Sequence, residues 1–157
     1  MKKIFLDTSI ISAFFDFNKP LRQNITQKWF EFESKKYILY ISTLVLLELE
    51  NTKNDILRNK FIDFVLNRNI SILELNEEIE KISAEYRKKI LPNEKNDTIH
   101  LATASFYNID AIASWNFKDI VNIETMSNIH EINSINGYKI IEIVSLENLG
   151  GDKYGSL

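Results

Sequence analysis

The amino-acid sequence predicts an α/β domain of three layers, in which a five-stranded parallel sheet is flanked by helices. Two observations support this prediction. Short apolar runs rich in Ile, Val, Phe and Tyr recur along the chain, and most of the segments between them have the apolar spacing of a helix. The runs also lack a clean polar alternation, which is expected when both faces of a sheet are covered. The five predicted strands are Ile4–Leu6, Tyr37–Ile41, Ile70–Leu73, Ala111–Ser114 and Tyr138–Val144.

The first predicted helix follows the first strand and spans Leu21–Glu33. Its apolar residues recur at spacings of three or four, which places them on one face. These residues are Leu21, Ile25, Trp29 and Phe32. After the second strand, Ser42 or Thr43 is predicted to cap a helix that begins at Leu44, because a side-chain hydroxyl can accept a hydrogen bond from the first turn.

The same apolar spacing predicts a helix over Asn54–Asn67 and, after the third strand, another over Glu77–Ile90. Pro92 ends the second of these, because proline cannot continue the backbone hydrogen-bond ladder. The next helix is predicted to open near Asn96 or Asp97 and to lead into the fourth strand.

Length and composition are typical of one globular domain. The chain has 157 residues, of which 45% are hydrophobic and 26% charged, and a chain of this length buries about 70% of its surface on folding. We expect a single domain over residues 1–149 and a mobile, glycine-rich tail over residues 150–157. The absence of cysteine excludes a disulfide framework, a thiolate nucleophile and cysteine-based metal sites. The net charge of −3 argues against nucleic-acid binding by bulk positive charge.

The first residues, two lysines followed by apolar side chains, have only a superficial likeness to a secretory signal. Asp7 interrupts the apolar run, and no small-residue cleavage site follows. No stretch of the sequence approaches the roughly 18 uninterrupted apolar residues of a membrane span. We therefore expect a cytoplasmic protein without membrane association.

Two acids, Asp7 and Glu48, lie in apolar surroundings, where an ionised carboxylate is expensive to bury, and a third follows a polar stretch but begins an apolar helix. Asp7 falls directly after the first strand, and Asp97 begins an apolar helix. Glu48 is the only charge in the segment Leu44–Leu49. Each acid also has a purely structural alternative: an Asx turn for Asp7, a partly exposed helix position or an ion pair for Glu48, and an N-cap for Asp97.

The predicted sheet places polar side chains at one of its edges. Asp7 ends the first strand, Glu48 lies early in the helix after the second, and Ser114–Asn116 ends the fourth. In doubly wound sheets, functional groups gather at the carboxyl ends of the strands, beside the point where the strand order reverses. If strands one and four flank that point, these side chains converge. Several carboxylates in one pocket repel each other unless a cation is present, and oxygen ligands favour Mg²⁺ or Mn²⁺.

Four segments carry a family likeness through their order and spacing. They are IFLDTSII at the start, ISTLVLLELE in the first third, NDTIHLATA beyond the middle and SWNFKDI after the fourth strand. Together they resemble the PIN-domain family, in particular the toxin ribonucleases of VapC-type bacterial toxin–antitoxin pairs. The resemblance implies a PIN-like fold and an acidic pocket that binds Mg²⁺ or Mn²⁺ for phosphodiester hydrolysis. It implies a metal-dependent endoribonuclease that acts as a toxin, with an RNA substrate, a cognate antitoxin and a second copy in a homodimer as partners.

Matched residue by residue, Asp7, Glu48 and Asp97 take the acidic positions of the family. The resemblance implies that Asp7 and Asp97 are the principal metal ligands, and that Glu48 is a ligand or orients the attacking water. The fourth acidic position of the family is Asn116 here, so an amide replaces a carboxylate. An amide oxygen can still ligate an ion or hold a water, and we expect Asn116 to support catalysis with fewer charges available for a second metal ion.

Further side chains are predicted near this pocket. Those expected to contact the substrate are Thr8, Ser114 and Lys118. His100 lies one helical turn after Asp97, and it either touches the substrate, holds that acid or serves only the core. Trp115 and Phe117 either stack on an unpaired base or pack in the core.

Two other functions are weighed against the nuclease. Asn116 motivates a catalytically weakened PIN domain that serves as an RNA-binding or protein-interaction module. A phosphatase-like hydrolase would use Asp7 as a covalent nucleophile and would need a second acid two residues on. The sequence has Ser9 at that position, which disfavours the phosphatase.

Overall fold

The computed structural model describes residues 1–89, 94–117 and 122–155. Within them, five strands form one sheet in which every pairing is parallel, which confirms the predicted fold class. The strands are β1 (Lys2–Leu6), β2 (Tyr37–Ser42), β3 (Ile70–Leu73), β4 (Ala111–Ala113) and β5 (Glu142–Val144). The helices are α1 (Thr8–Phe14), α2 (Pro20–Lys28), α3 (Thr43–Glu50), α4 (Asp55–Leu66), α5 (Glu77–Lys89), α6 (Lys95–Phe106) and α7 (Ile123–Asn136).

The strand order is β3-β2-β1-β4-β5, so the chain builds the sheet outward from β1 in one direction and then in the other. Strand β1 pairs with β2 through Ile4 and Leu39, and with β4 through Leu6 and Ala113. The order therefore reverses between β1 and β4, which meets the condition under which the predicted site residues converge. The carboxyl ends of these two strands lie side by side, where a parallel sheet collects functional side chains.

The central strands are buried on both faces. Ile4, Phe5 and Leu6 are successive residues of β1 and are each at most 1% exposed. Because successive side chains point to opposite faces of a sheet, this burial requires cover on both sides. Strands β3 and β5, at the two edges, are only partly buried. The lack of polar alternation in the sequence is thus explained by the position of β1 in the middle of the sheet.

Side-chain caps define where several helices begin. Ser42 caps α3 by accepting a hydrogen bond from the Val45 amide at 3.2 Å, so of the two predicted caps it is the serine that acts. Helix α6 begins at Lys95, with Glu94 as its N-cap residue. Asp97 therefore lies within the first turn of α6, and the N-cap alternative for Asp97 is wrong because the helix begins two residues earlier.

The apolar stripe predicted over Leu21–Glu33 is only partly correct. Helix α2 ends at Lys28, and the chain continues as a π-helical turn over Trp29–Glu33. A π-turn contains one more residue than an α-turn, so it rotates the following side chains out of the α-helical register. As a result Phe30 is buried while Phe32 is 51% exposed.

The fifth strand is shorter than the predicted Tyr138–Val144. Gly137 ends α7 in the left-handed conformation, with φ of 80°, and the Tyr138 amide donates back to the Asn133 carbonyl. The ladder with β4 begins only at Glu142, opposite Ala111. Strand β4 has three residues, so it offers three pairing positions and limits the length of β5.

The C-terminal segment, for which the sequence predicts a mobile tail from residue 150, packs in this structure against the π-helical turn. Gly151–Tyr154 forms a 3₁₀ turn, and Asn24 on α2 donates to the Tyr154 carbonyl at 3.0 Å. Buried Glu33 accepts from the Tyr154 hydroxyl at 2.9 Å and pairs with Lys153 at 2.7 Å. Hydrogen bonds from Lys153, Lys36 and Tyr154 lower the pKa of Glu33 to about 2. A buried acid requires such partners, and the end of the chain supplies two of them.

None of the helices in the described ranges has the length and apolar character needed to cross a membrane.

Candidate active site

Asp7 lies at the carboxyl end of β1, beside β4, and is 6% exposed. Its backbone amide donates to the Ala113 carbonyl at 3.1 Å, so the position is fixed by the sheet itself. One carboxylate oxygen, Oδ1, accepts from the Ser9 amide at 2.9 Å and from the Ser9 hydroxyl at 2.5 Å. The other, Oδ2, accepts from the Ser114 hydroxyl at 2.6 Å. Asp7 therefore forms the Asx turn of its structural alternative through the Ser9 amide, and this turn also caps α1 while the carboxylate faces the end of β4.

Ser114 joins Asp7 to the loop that follows β4. While its hydroxyl hydrogen goes to Asp7, its oxygen accepts from the amides of Asn116 at 3.0 Å and Phe117 at 3.1 Å. The Trp115 amide donates to the Ser9 hydroxyl at 2.9 Å. The short polar side chains of both serines thus hold the β4 loop against the N-terminus of α1.

Glu48 is held by two side chains from other elements. Its Oε1 accepts from the Thr8 hydroxyl at 3.0 Å and lies 2.9 Å from His100 Nε2. Burial raises the pKa of Glu48, but the His100 hydrogen bond and charge, with smaller contributions from Thr8 and Asn96, outweigh it and lower that pKa overall. Glu48 is therefore ionised at neutral pH and held beside His100.

The other two acids are unfavourably placed for an ionised carboxylate. Burial raises the pKa of Asp7, although its hydrogen bonds to Ser114 and Ser9 oppose the rise. Burial also raises the pKa of Asp97 to about 6, and repulsion from Glu94 and Asp7 adds to that rise. His100 acts on both groups in the opposite direction. A cation bound near both carboxylates would stabilise their ionised forms.

His100 is the residue whose role the sequence left most open. It is 2% exposed, packs its ring 5.6 Å from that of Phe5, and bonds to Glu48 through Nε2. Its Nδ1 atom is buried and has no hydrogen-bond partner among the described residues. Its position one turn after Asp97 was the only sequence signal, and that signal did not distinguish contact with Asp97 from contact with Glu48.

The structure brings most of the predicted site residues together. Asp7 is bonded to Ser114, Glu48 is bonded to Thr8 and His100, and Asp97 lies one turn before His100 on α6. Asn116 shares a cavity of about 290 Å³ with Thr8 and Glu48. The predicted substrate contact at Lys118 lies outside the described residues, as does Pro92.

The same residues are the candidates for binding a metal ion. In the part of the chain that the structure describes, no three His, Cys, Asp or Glu side chains are placed to hold one metal ion together. The donor chemistry nevertheless fits a hard cation, because the acids offer oxygen atoms and two of them have raised pKa values. Asp7, Asp97 and Glu48 are the residues that would hold such an ion, and all three could do so only with their side chains closer together than they are here.

Two basic side chains that line the cavity were not predicted from the sequence. Lys19 and Arg22, from the start of α2, line it together with Thr8 and Asn116. The Arg22 guanidinium lies 5.4 Å from the ring centre of Trp115. Trp115 and Phe117 are buried, which agrees with their structural alternative. Nothing in the local sequence relates α2 to the β4 loop, so only the fold reveals this contact.

Comparisons with known proteins agree with the geometry. The family model for the PIN domain matches residues 4–118. The fold is similar to that of Mycobacterium tuberculosis VapC20, described as a Sarcin-Ricin loop cleaving toxin, with 14% identity and a TM-score of 0.60 over 86% of this chain and 95% of that one. No curated protein matches the sequence significantly.

Two further structures share the fold. One is VapBC2 from Rickettsia felis, bound to a DNA fragment from its promoter, with 14% identity and a TM-score of 0.58 over 91% of this chain and 98% of that one. The other is VapBC-1 from nontypeable Haemophilus influenzae, with 14% identity and a TM-score of 0.58 over 92% of this chain and 98% of that one.

Proposed function

The chain belongs to the PIN-domain family, and from that premise we propose that it is a metal-dependent endoribonuclease, the toxin of a toxin–antitoxin pair. The observation that carries the proposal is the position of Asp7 at the switch point of the sheet, with Glu48 bonded to His100 and Asp97 one turn before that histidine on α6. Within the described ranges, none of these three acids forms an ion pair with a lysine or arginine. Among the described residues Glu48 pairs with His100, whereas Asp7 and Asp97 form no ion pair, so these two carboxylates are open to a cation.

We propose Mg²⁺ or Mn²⁺ as that cation, held by Asp7 and Asp97 with Glu48. A bound divalent ion supplies polarisation of the phosphate and a lowered pKa for an attacking water. The protein supplies position: Ser9 and Ser114 fix the Asp7 carboxylate, and Thr8 and His100 fix Glu48. A fixed Glu48 carboxylate is suited to accept a proton from, or to orient, the water that attacks phosphorus.

A second candidate is a catalytically weakened PIN domain that binds RNA or protein. It is favoured by Asn116, which brings an amide instead of a carboxylate to the cavity. It is also consistent with the wider spacing of the acids, since no three of the described side chains are placed for one ion.

We propose a cognate antitoxin as the protein partner. Support comes from the likeness to VapBC structures and from an apolar cavity of about 600 Å³ between α4 and the segment after α1. Phe17 and Ile56 line it and are 78% and 71% exposed, so a partner segment could bury them. A basic side chain of that segment would be attracted to the acids of the site. By family likeness we also propose a homodimer that acts on RNA in the cytoplasm.

One assay separates the two functions. Labelled RNA is incubated with the purified protein and Mg²⁺, Mn²⁺ or EDTA. The nuclease proposal expects cleavage with metal, none in EDTA and none for Asp7→Asn. Asp63→Asn is the matched control, because Asp63 is an exposed acid of α4 that does not line the cavity of the site. RNA binding without cleavage under all conditions would favour the weakened module.

A further inference from the structure

The cavity that holds Glu48 and Asn116 is also lined by two cations, Lys19 and Arg22. Both come from the start of α2, which begins at Pro20. Lys19 is exposed and Arg22 is partly exposed. A cavity lined by both acidic and basic side chains suits an anionic ligand that contacts a metal ion through one of its groups. A phosphodiester is such a ligand.

Arg22 is held in place by Trp115. Its guanidinium lies 5.4 Å from the centre of the indole ring, within the range of a cation–π contact. The indole is itself fixed, because its Nε1 donates to the Thr26 hydroxyl at 3.1 Å. Thr26 lies one turn after Arg22 on the same helix, and its hydroxyl donates to the Arg22 carbonyl at 2.7 Å. Helix α2 therefore holds both the arginine and the ring on which it lies.

The same tryptophan is tied to the acidic site. The Trp115 amide donates to the Ser9 hydroxyl, which in turn donates to Asp7 Oδ1. A continuous path of contacts thus runs from Arg22 through Trp115 and Ser9 to the Asp7 carboxylate. The distance between the guanidinium and the acids is set by the fold and not by a flexible side chain alone.

Arg22 has no anionic partner in the described part of the chain. The ion pairs there involve other bases, namely Lys28, Lys36, Arg58, His100, Lys139 and Lys153. Yet Asp16 and Glu48 line the same cavity. With one face against the indole, the guanidinium still presents the N–H donors of its edge, which match two phosphate oxygens.

We propose that Arg22, assisted by Lys19, binds a backbone phosphate of single-stranded RNA beside the scissile bond. The inference rests on the proposed nuclease function and adds the residues that bring the substrate to the acids. A polyanion is repelled by Asp7 and Glu48, and the net charge of −3 supplies no general attraction. A fixed cation in the same cavity supplies that attraction locally. Because the contact is with phosphate, it positions the RNA without reading its sequence.

The test compares three variants with the wild type. Arg22→Gln removes the charge, and Arg22→Lys keeps the charge but loses the planar fork. Lys28→Gln is the matched control, because it removes one charge from the same helix outside the cavity and its nearest acid, Glu31, is 4.0 Å away. Binding of a fluorescent single-stranded oligoribonucleotide is measured in EDTA at several salt concentrations, and cleavage kinetics are measured with Mn²⁺.

Arg22→Gln is expected to weaken RNA binding about five- to tenfold and to raise KM more than it lowers kcat. The slope of log Kd against log salt should fall by about 0.7, as expected for one lost phosphate contact. Arg22→Lys should lie between this variant and the wild type, and Lys28→Gln should match the wild type. Thermal melting of each variant ensures that folded proteins are compared.

The outcomes separate the inference from the function on which it rests. Wild-type cleavage with unchanged KM and salt slope in Arg22→Gln overturns the inference and leaves the nuclease intact. A wild type that neither binds nor cleaves RNA overturns both. If Arg22→Gln binds and cleaves RNA like the wild type but no longer binds the co-expressed antitoxin, the guanidinium pairs with a carboxylate of that partner. The assignment to phosphate is then wrong.

Discussion

Asp97→Asn is expected to stabilise the metal-free protein at neutral pH. Burial and repulsion from Glu94 and Asp7 raise the pKa of Asp97 to about 6 in the folded protein, against an ordinary value of 3.8 for an aspartate. A carboxyl with a raised folded pKa costs stability as pH rises from the unfolded value through the folded one. Asparagine keeps the shape of the side chain and removes that cost.

The magnitude follows from the same pKa. Without screening by solvent, a pKa near 6 instead of 3.8 would lower the free energy of unfolding by about 3 kcal/mol above pH 6. Solvent still reaches Asp97, which is only partly buried, and screening reduces the expected gain to about 1–2 kcal/mol. For a domain of this size that gain raises Tm by about 2–8 °C. The charge of Asp97 also favours the N-terminus of α6 by about 0.3–1 kcal/mol, which works in the opposite direction.

The assay is thermal unfolding in excess EDTA at pH 4, 5, 6 and 7. The stabilisation by Asp97→Asn should be small at pH 4, grow through pH 5 and level off above pH 6. Glu124→Gln is the control, because Glu124 is an exposed acid in the first turn of α7 and reports the helix-terminus effect alone. Millimolar Mn²⁺ should raise the Tm of the wild type more than that of Asp97→Asn, because it binds the native acids.

An Asp97→Asn protein that is less stable than wild type at every pH would refute the reasoning. That result would mean that the carboxylate stabilises the first turn of α6 and that the cluster of acids carries no net repulsion.

Three further outcomes are expected. Expression of the wild-type protein should slow bacterial growth, and co-expression of the adjacent gene should restore it. Expression of Asp7→Asn should not slow growth. Equal growth with wild type and Asp7→Asn would refute the toxin function. Calorimetric titration with Mn²⁺ should show about one site, and Asn116→Asp should add stoichiometry or affinity because it adds a carboxylate; identical isotherms would place Asn116 outside the metal shell. Glu33→Gln should release the C-terminal turn, because Lys153 and Tyr154 lose a charged acceptor, and limited proteolysis should then cleave near residue 150 faster than in the wild type. The lowered pKa of Glu33 stabilises the fold above about pH 4.5, and this stabilisation is lost toward pH 2. The variant and the wild type should therefore be cleaved at similar rates near pH 2.

The sheet could be predicted from sequence because its central strands are continuous apolar runs. Ile4–Leu6 is buried on both faces, and this leaves a signal that needs no knowledge of the partner strands. The acids were detectable for the same reason, since Asp7 and Glu48 interrupt runs that otherwise belong to the core. Local composition therefore carried both the fold class and most of the candidate site.

Other features depended on contacts between distant segments. The π-turn over Trp29–Glu33 turns Phe30 inward and Phe32 outward, and an apolar spacing that suits an α-helix gives no warning of it. Arg22 meets Trp115 only because α2 packs beside the loop after β4. Glu33 is named in the sequence prediction only as the last residue of a helix, and its contacts with the C-terminal turn explain its burial.

The central position of β1 also determines when the site can form during synthesis. Asp7 leaves the ribosome early, but the Ser114 hydroxyl that holds its carboxylate is 107 residues away in the chain. At about 5–20 residues per second, translation needs about 5–20 s to cover that distance. Until then β1 lacks its β4 neighbour, and the acids cannot be gathered at the end of the sheet. A nascent chain therefore carries an unassembled site during the whole interval between the synthesis of Asp7 and that of Ser114.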